Sequence, residues 1–346
     1  MTTMDRQIPK TQMDYQPGTI KLRDTWIGLA HEASVKNKKP IRRMMHGEPV
    51  FFWREGGAIR GGSRPDPVTC AREGVTEFTR ADGQYLVKAY RGLVWVWFGE
   101  PDNASPDLIP FIPQIPPDGG PAGFRREMRY ECTFELMCEN ALDSTHIDFV
   151  HANIYGTTLG EEDEVYVEST SETVTMTRVN RGRVIPRAQR RMVGGATHQD
   201  QCFVVHLHVR SGLTVIKSMA NPGFGLEAVV PHCPASPTLT TAPMLLDSAS
   251  MRGLGKLAIT KISPIVVRQD ARVVKKQNEN YLRGELHRDL SSRFDKATLR
   301  YRKVHNELAA RQAAGDYSYL SDGDPTRNID HLLEGDGGNV EANRAR

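Results

Sequence analysis

The sequence predicts an α+β protein in which a β-rich N-terminal part precedes an antiparallel sheet with helices packed on it. Three observations lead to this prediction. Alternating or aromatic-rich runs typical of strands fill much of the first hundred residues and recur between residues 164 and 246. A stretch with seven prolines, residues 101–121, separates these two regions and is expected to be an extended linker. Helical periodicity enters late, after Ser263, and strands grouped ahead of helices favour a layered α+β architecture.

Composition is ordinary for a globular protein and excludes few classes on its own. The 346 residues are 39% hydrophobic and 25% charged, with a formal net charge of +3. This charge gives no reason to expect nucleic acid as a partner. The segment 1–18 lacks an apolar signal core, and the longest apolar run, Leu93–Phe98, is far too short to span a bilayer. We therefore expect a cytoplasmic protein without a membrane partner.

In the first half, residues 1–19 are expected to form a flexible arm, and the region from Gly56 to Gly83 is expected to be mostly loop. Strands are predicted at Pro49–Trp53, Tyr85–Ala89 and Gly92–Phe98. The alternating Trp95 and Trp97 are assigned to packing, because tryptophans in a strand usually bury area.

In the second half, alternation predicts a hairpin and two further strands, and periodicity predicts two helices. The predicted strands are Glu164–Ser169, Thr173–Val179, Cys202–Val209 and Leu213–Met219. A long helix is expected to begin at Ser263–Pro264, with serine as N-cap and proline in the first turn. A second, charged helix is expected over Lys296–Arg311, and residues 335–346 are expected to be a disordered tail.

Five cysteines are scattered singly, at positions 70, 132, 138, 202 and 233. Such spacing fits a reducing compartment and argues against a disulfide framework. Cys132 and Cys138 are interpreted as small buried hydrophobes.

The segment Glu139–His151 carries two imidazoles, His146 and His151, five residues apart, and Asp143 lies three residues before the first. Two imidazoles and one carboxylate with open positions suit non-haem Fe(II). On one continuous helix the two histidines would lie about 140° apart, so convergence requires a distortion or a helix end between them. Asp143 or Asp148 could hold the second nitrogen of either ring.

Asp270 falls on the apolar face of the predicted late helix, formed by Val266, Val267, Val273, Val274, Gln277 and Tyr281. A buried carboxylate without a partner costs several kcal/mol. It could complete a metal site with the two histidines, pair with Arg268 or Arg272, or cap a neighbouring helix. The phase of the helix alone leaves these alternatives open.

The run Glu139-Asn140-Ala141-Leu142-Asp143-Ser144-Thr145-His146, continuing to His151, resembles the N-x-x-D-x-x-H-x-x-x-x-H motif of Rieske non-haem iron oxygenase α-subunits, and most the vanillate O-demethylase-like branch. The resemblance implies a helix-grip catalytic domain at 106–334 with His146, His151 and Asp270 as ligands of one Fe²⁺. It further implies that Asp143 passes electrons from a cluster on a neighbouring subunit and that Asn140 supports the ligands.

The N-terminal part resembles the same family at both ends of its cluster domain, in Arg23–Ala30 and Gly92–Gly99. That domain, expected at 20–105, needs a C-x-H and a C-x-x-H pair for its [2Fe–2S] cluster. Between Arg60 and Val87 the sequence has Cys70 and no histidine. We therefore expect a vestigial cluster domain and no [2Fe–2S] cluster in this chain. His31 and His46 lie outside the expected loops and are read as structural or exposed.

Two functions from different classes follow from the resemblance. The first is an oxygenase component that uses Fe(II) and O₂ to monooxygenate, hydroxylate or oxidatively demethylate a small aromatic substrate. Its electrons would come from a separate ferredoxin, reductase or cluster-bearing subunit, within a trimer-based homo- or hetero-oligomer. The second is a catalytically inactive binding or partner subunit on the same fold. Retention of the three ligands and Asp143 favours the first, because a chain without this chemistry has no physical need for a buried carboxylate opposite two histidines.

Two further features are less specific. Six arginines crowd residues 178–191 and are expected to lie in a solvated loop; they could instead form a docking patch for an acidic electron donor or hold a substrate carboxylate. His206 and His208 alternate along a predicted strand and could face solvent, accept hydrogen bonds or contact substrate.

Overall fold

The computed structural model describes residues 17–18, 20–36, 39–63, 85–113, 115, 124–156, 163–223, 225–247, 254–283, 291–292 and 294–333. Most of the arm expected at 1–19, the tail expected at 335–346 and Cys70 lie outside these ranges. In the described part of the chain, no helix is both long and apolar enough to cross a membrane.

The N-terminal part forms two small antiparallel sheets, with strand orders β1-β6-β5 and β2-β3-β4. Their strands are β1 Thr25–His31, β2 Ile41–Met45, β3 Glu48–Glu55, β4 Ala58–Gly62, β5 Val87–Tyr90 and β6 Leu93–Phe98. The predicted strands are confirmed, but β4 forms inside the region expected to be mostly loop, because it pairs with β3. The two segments that resemble the cluster domain, which contain β1 and β6, pair directly.

The second part is built on an eight-stranded antiparallel sheet with the order β13-β14-β12-β11-β10-β9-β8, in which β7 also pairs with β14. Its strands are β7 Phe124–Tyr130, β8 Glu164–Ser169, β9 Thr173–Val184, β10 His198–His208, β11 Leu213–Asn221, β12 Leu226–Pro231, β13 Cys233–Ser236 and β14 Leu239–Asp247. The helices are α1 Phe134–Leu142, α2 Ile147–Val150, α3 Ala152–Tyr155, α4 Leu254–Leu282, α5 Lys296–Ala313 and α6 Asp330–Leu333. The α+β prediction and the hairpin β8–β9 are confirmed.

Helix α4 differs from its prediction in where it begins. It starts at Leu254 and carries Pro264 inside it, so Ser263–Pro264 is not its N-terminus. Proline removes one intrahelical hydrogen bond, and the flanking turns continue the helix on both sides of it. The buried face runs through Ser263, Asp270, Val274 and Asn278. Val273 and Gln277 are exposed, so the predicted face was wrong at these two positions.

The two β regions share one hydrophobic core. Trp26 and Trp95 of the first sheet belong to the same buried cluster as Val215 and Val229 of the large sheet. Ile109 and Ile112 of the proline-rich stretch are buried in it too, so the part of this stretch at 101–113 packs against the core rather than running free as a linker. The boundary predicted at 105/106 stays a prediction.

His206 and His208 lie on the same face of β10, and both are buried. His206 Nδ1 is 2.7 Å from Thr175 Oγ1, which makes the hydrogen-bonded alternative correct for this residue. Burial lowers the pKa of His208 to about 4, so the folded protein holds this ring neutral.

Because the folded-state pKa of His208 is depressed, its contribution to stability is complete above pH 6.5 and is lost as the pH falls towards 4. Buried Glu135 and Glu172, with pKa values raised to about 7, act in the opposite direction over a similar range. The prediction therefore concerns the difference in free energy of unfolding between His208→Gln and the parent, because both proteins contain the two glutamates. As the pH falls from 6.5 to 4, the free energy of unfolding of the variant should rise relative to that of the parent by on the order of 1 kcal/mol per pH unit. Urea unfolding at pH 7.5, 6 and 5 measures this; a pH-independent difference would contradict it.

Candidate metal centre

The two histidines are placed by a break in the helical segment. Helix α1 ends at Leu142, and Asp143 follows it as C-cap. A turn then leads to α2, with His146 before it and His151 between α2 and α3. Asn140 therefore lies in α1, whereas Asp143 and His146 lie beyond its end, and the three residues do not share one continuous helix. The helix end expected between the two histidines is present, and it lets both rings turn to the same side.

Asp270 projects from the buried face of α4 towards these two rings. Its Oδ1 is 2.8 Å from His151 Nε2 and 3.4 Å from His146 Nε2. One ligand atom from each of His146, His151 and Asp270 lies within 4.8 Å of the others. We call this group the His–His–Asp cluster. The alternative partners Arg268 and Arg272 are exposed, so the structure favours the histidine pairing for Asp270.

The remaining ring nitrogens are held by Asp143, which the sequence offered as a partner, and by Gln269, which it did not. His146 Nδ1 contacts the backbone carbonyl of Asp143, not its carboxylate. His151 Nδ1 is 2.9 Å from Gln269 Oε1. Such contacts fix the tautomer and leave each Nε2 free to face the cluster. Gln269 precedes Asp270 directly, and that adjacency was the only signal in the sequence that could have suggested its role.

The electrostatics of the cluster suit a cation. Burial alone would lower the pKa of His146, but the hydrogen bond and charge of Asp270 raise it overall. Burial would raise the pKa of Asp270, but hydrogen bonds from His146 and His151 outweigh this and lower it. A carboxylate kept charged between two imidazoles is a donor set with the charge and atom types that Fe(II) accepts.

Asp148 does not hold a histidine; it anchors the segment from the opposite side. Arg183 Nη2 lies 3.0 Å from Asp148 Oδ1, and Arg178 Nη2 donates to Asp148 Oδ2. Arg178 also donates to the carbonyl of Ser144 at 2.7 Å and to Asp163 at 2.6 Å. We call Asp148, Asp163, Arg178 and Arg183 the arginine clamp.

Arg183 completes the clamp at the far end of the segment by donating to the carbonyls of Tyr155 and Gly156, at 2.6 and 2.8 Å. Both clamp arginines are 1% exposed. The expectation of a solvated arginine loop was therefore wrong for Arg178 and Arg183, because β9 carries them under the histidine segment. It holds for Arg181, Arg187 and Arg191, which are exposed.

The His–His–Asp cluster opens onto a cavity of about 240 Å³ between the large sheet and helix α4. Its walls are mainly apolar, with Met128, Ile216, Val230, Met244 and Leu246 among them. Asn140 lines the same cavity. Asp143 does not line it; its Oδ1 accepts from the backbone N–H and the hydroxyl of Thr145, at 2.9 and 2.6 Å.

A family model described as the vanillate O-demethylase oxygenase C-terminal domain matches residues 130–311, more than half of the chain and all three residues of the cluster. The chain belongs to this family. The resemblance on which the sequence prediction rested is thereby confirmed.

Among curated relatives of this family member, the iron-sulfur subunit TsaM1 of the toluene-4-sulfonate monooxygenase system of Comamonas testosteroni is 31% identical over 121 residues. These residues are 34% of this chain and 30% of the relative. TsaM2 of the same organism is 34% identical over 71 residues, 19% of either chain. The chain thus matches less than a third of the length of these curated relatives.

Solved structures share the fold across most of the chain. The crystal structure of dicamba monooxygenase bound to 3,6-dichlorosalicylic acid superposes with a TM-score of 0.71 at 14% identity, covering 85% of this chain and 99% of that one. The terminal oxygenase of carbazole 1,9a-dioxygenase from Nocardioides aromaticivorans IC177 gives a TM-score of 0.53 at 14% identity, covering 86% and 96%. These likenesses establish the fold of the family member.

Proposed function

We propose that the chain is an oxygenase component that holds one Fe(II) with His146, His151 and Asp270. It would monooxygenate, hydroxylate or oxidatively demethylate a small aromatic substrate. The observation that carries the proposal is the His–His–Asp cluster at the wall of an apolar cavity. Bound Fe(II) with open coordination positions supplies the chemistry of O₂ activation. The names of the matching relatives support the same class of reaction.

The residues of the chain prepare the site for this chemistry. Gln269 and the Asp143 carbonyl orient the two rings, and the arginine clamp holds the backbone that carries them. The apolar wall excludes water around the substrate, which limits side reactions of activated oxygen. Asn140 would support the ligands from the cavity side.

A hydroxylation or demethylation of this kind incorporates one oxygen atom and reduces the other to water, so it consumes two electrons and two protons. We propose that a separate ferredoxin, reductase or cluster-bearing subunit supplies the electrons, because the sequence contains no C-x-H or C-x-x-H pair. Asp143, outside the cavity and beside His146, would couple the partner to the site. A trimer-based homo- or hetero-oligomer is part of the same proposal.

We propose a cytoplasmic location because the described cysteines are not paired in disulfides. Cys132, Cys138, Cys202 and Cys233 are free and buried in the described structure. Unpaired thiols are typical of a reducing compartment.

The proposal is tested by measuring iron and acid-labile sulfide per chain on anaerobically purified protein. We expect about one iron per chain and no sulfide, with iron lost in His146→Ala and in Asp270→Ala. His198→Ala, which changes an exposed histidine on β10, is the matched control and should retain iron. Absence of iron after Fe(II) reconstitution, with both variants folded like the parent, would leave the binding or partner subunit as the function.

Loss of the Gln269 contact should weaken metal binding without removing a ligand. We expect Gln269→Leu to lower Fe(II) affinity about 10- to 100-fold, the usual range for a group that orients a ligand. Arg268→Leu, at an exposed neighbouring position, is the control. Competition with a fluorescent chelator under anaerobic conditions measures both; equal affinities for the two variants would contradict the orienting role.

A further inference from the structure

The floor of the cavity is one face of the large sheet, and its polar side chains are unevenly distributed. Strands β12 and β14 contribute apolar residues such as Ala228 and Leu246. Strands β10 and β11 contribute Gln199, Gln201 and Ser218, and Gln189 joins them from the loop between β9 and β10. We call these four residues the amide corner. A group of amides in an otherwise apolar wall is the usual form of a determinant of ligand orientation.

The amide corner is partly organised already. Gln201 Nε2 donates to Ser218 Oγ at 3.1 Å, across paired strands. Gln189 Nε2 donates to the carbonyl of Ile154, in α3, which ties this side chain to the helix that follows His151. Each amide group has two N–H donors and a carbonyl acceptor, so these bonds leave hydrogen-bonding capacity for a ligand.

Charge in the cavity is confined to the His–His–Asp cluster. Among its described lining residues none is lysine or arginine. The other histidine there, His232, is neutral near pH 7, because burial lowers its pKa to about 4. The nearby Arg178 and Arg183 are engaged by Asp148 and Asp163.

An anionic substituent that entered the amide corner would lose its hydration and meet no described cation. An uncharged carbonyl, amide, hydroxyl or ether would meet donors and acceptors of matching strength. The expectation that an arginine holds a substrate carboxylate is therefore not supported by the described lining of the cavity.

We propose that the amide corner binds an uncharged polar substituent of the substrate, and that the protein selects neutral aromatic compounds over their anionic counterparts. The aromatic body then lies against the apolar wall near the cluster. This inference rests on the proposed function only in taking the cavity as the substrate site. The proposed preference for uncharged compounds would distinguish this chain from TsaM1, whose name refers to toluene-4-sulfonate, an anion.

The test compares 4-methoxybenzamide with 4-methoxybenzoate, which share ring and methoxy group and differ in charge. Calorimetric dissociation constants are measured anaerobically at pH 7.5, on metal-free and Fe(II)-reconstituted protein. We expect the amide to bind at least tenfold more tightly in both forms. Gln201→Leu and Ser218→Ala should each reduce this preference about fivefold or more, through weaker amide binding. Met244→Leu, on the apolar wall, should leave the ratio unchanged.

Gln201→Lys supplies the converse test, because a cation in the amide corner should shift the preference towards the carboxylate. Near-UV circular dichroism and thermal unfolding establish that each variant is folded. The proposal is overturned if the benzoate binds as tightly as the benzamide, if neither binds, or if the folded Gln201 variants keep the parental ratio. Retained amide preference in a protein that fails to bind iron would refute the oxygenase function and leave this inference standing.

Discussion

Replacing Asp148 with alanine is expected to lower the free energy of unfolding by about 3–5 kcal/mol, the largest stability effect of a single change predicted for this chain. Asp148 lies 2 and 3 residues from the two histidines and contacts Arg178 and Arg183 instead of either ring. Its removal leaves two guanidinium groups, each 1% exposed, to share Asp163 and backbone carbonyls. The penalty comes from uncompensated buried charge rather than from the loss of one attractive contact.

The measurement is urea unfolding of the metal-free protein followed by circular dichroism. Glu307→Ala is the control, since the Glu307–Lys303 pair lies on the exposed side of α5 and is expected to contribute less than 1 kcal/mol. Equal free energies of unfolding for the two variants would contradict the stabilising role of the arginine clamp. Because the clamp holds both ends of the histidine segment, Asp148→Ala should also reduce Fe(II) affinity at temperatures where it remains folded.

Replacing Asp143 with asparagine is expected to reduce turnover with the electron-donating partner by about 100-fold or more while leaving iron content unchanged. Asp143 Oδ1 accepts two hydrogen bonds from Thr145, and an asparagine Oδ1 can accept the same two. The carbonyl that holds His146 belongs to the backbone and is retained. The variant therefore removes the negative charge of the carboxylate and its capacity to exchange a proton. Loss of a group that exchanges protons typically lowers the reaction rate at least about 100-fold.

Iron content, and O₂ uptake with product yield in the presence of the reduced partner, separate these two effects. Thr145→Ala is the matched control, since it removes one hydrogen bond to Asp143 and keeps the carboxylate. We expect it to retain most of the activity. If Asp143→Asn turns over at the parental rate, the carboxylate has no part in coupling the partner to the site; if it loses iron, its role is in shaping the ligand segment.

The grouping of His146, His151 and Asp270 was predictable from a few local rules taken together with the family resemblance. The spacing of His146 and His151 required a helix end, and the phase of Asp270 put a carboxylate on a buried face. Each rule depends on neighbours within two helical turns. The start of α4 was missed because Ser263–Pro264 satisfies the rules for a helix N-terminus while the preceding residues are also compatible with a helix.

The groups around the ligands were not predictable, since they depend on pairing between distant segments. Asp148 was one of two residues expected to be able to hold a histidine, because it is close to both in sequence. Strand β9 instead brings Arg178 and Arg183 into contact with it from 30 and 35 residues away. The same arginines looked like surface charge, because a run of basic residues carries no sign of which strand face is buried. The amide corner combines residues of two strands and a loop, and no local pattern joins them.

Asp270 is separated from His151 by 119 residues, and the helix that carries it forms one wall of the cavity. A metal bound at this position would act as a removable cross-link between the histidine segment and α4. Binding only the native state, it raises stability by RT ln(1 + [Fe]/Kd), roughly 2.7 kcal/mol when free iron exceeds Kd 100-fold. Metal-free protein is therefore expected to unfold at a lower urea concentration than the Fe(II)-reconstituted protein, by an amount that grows with the iron concentration.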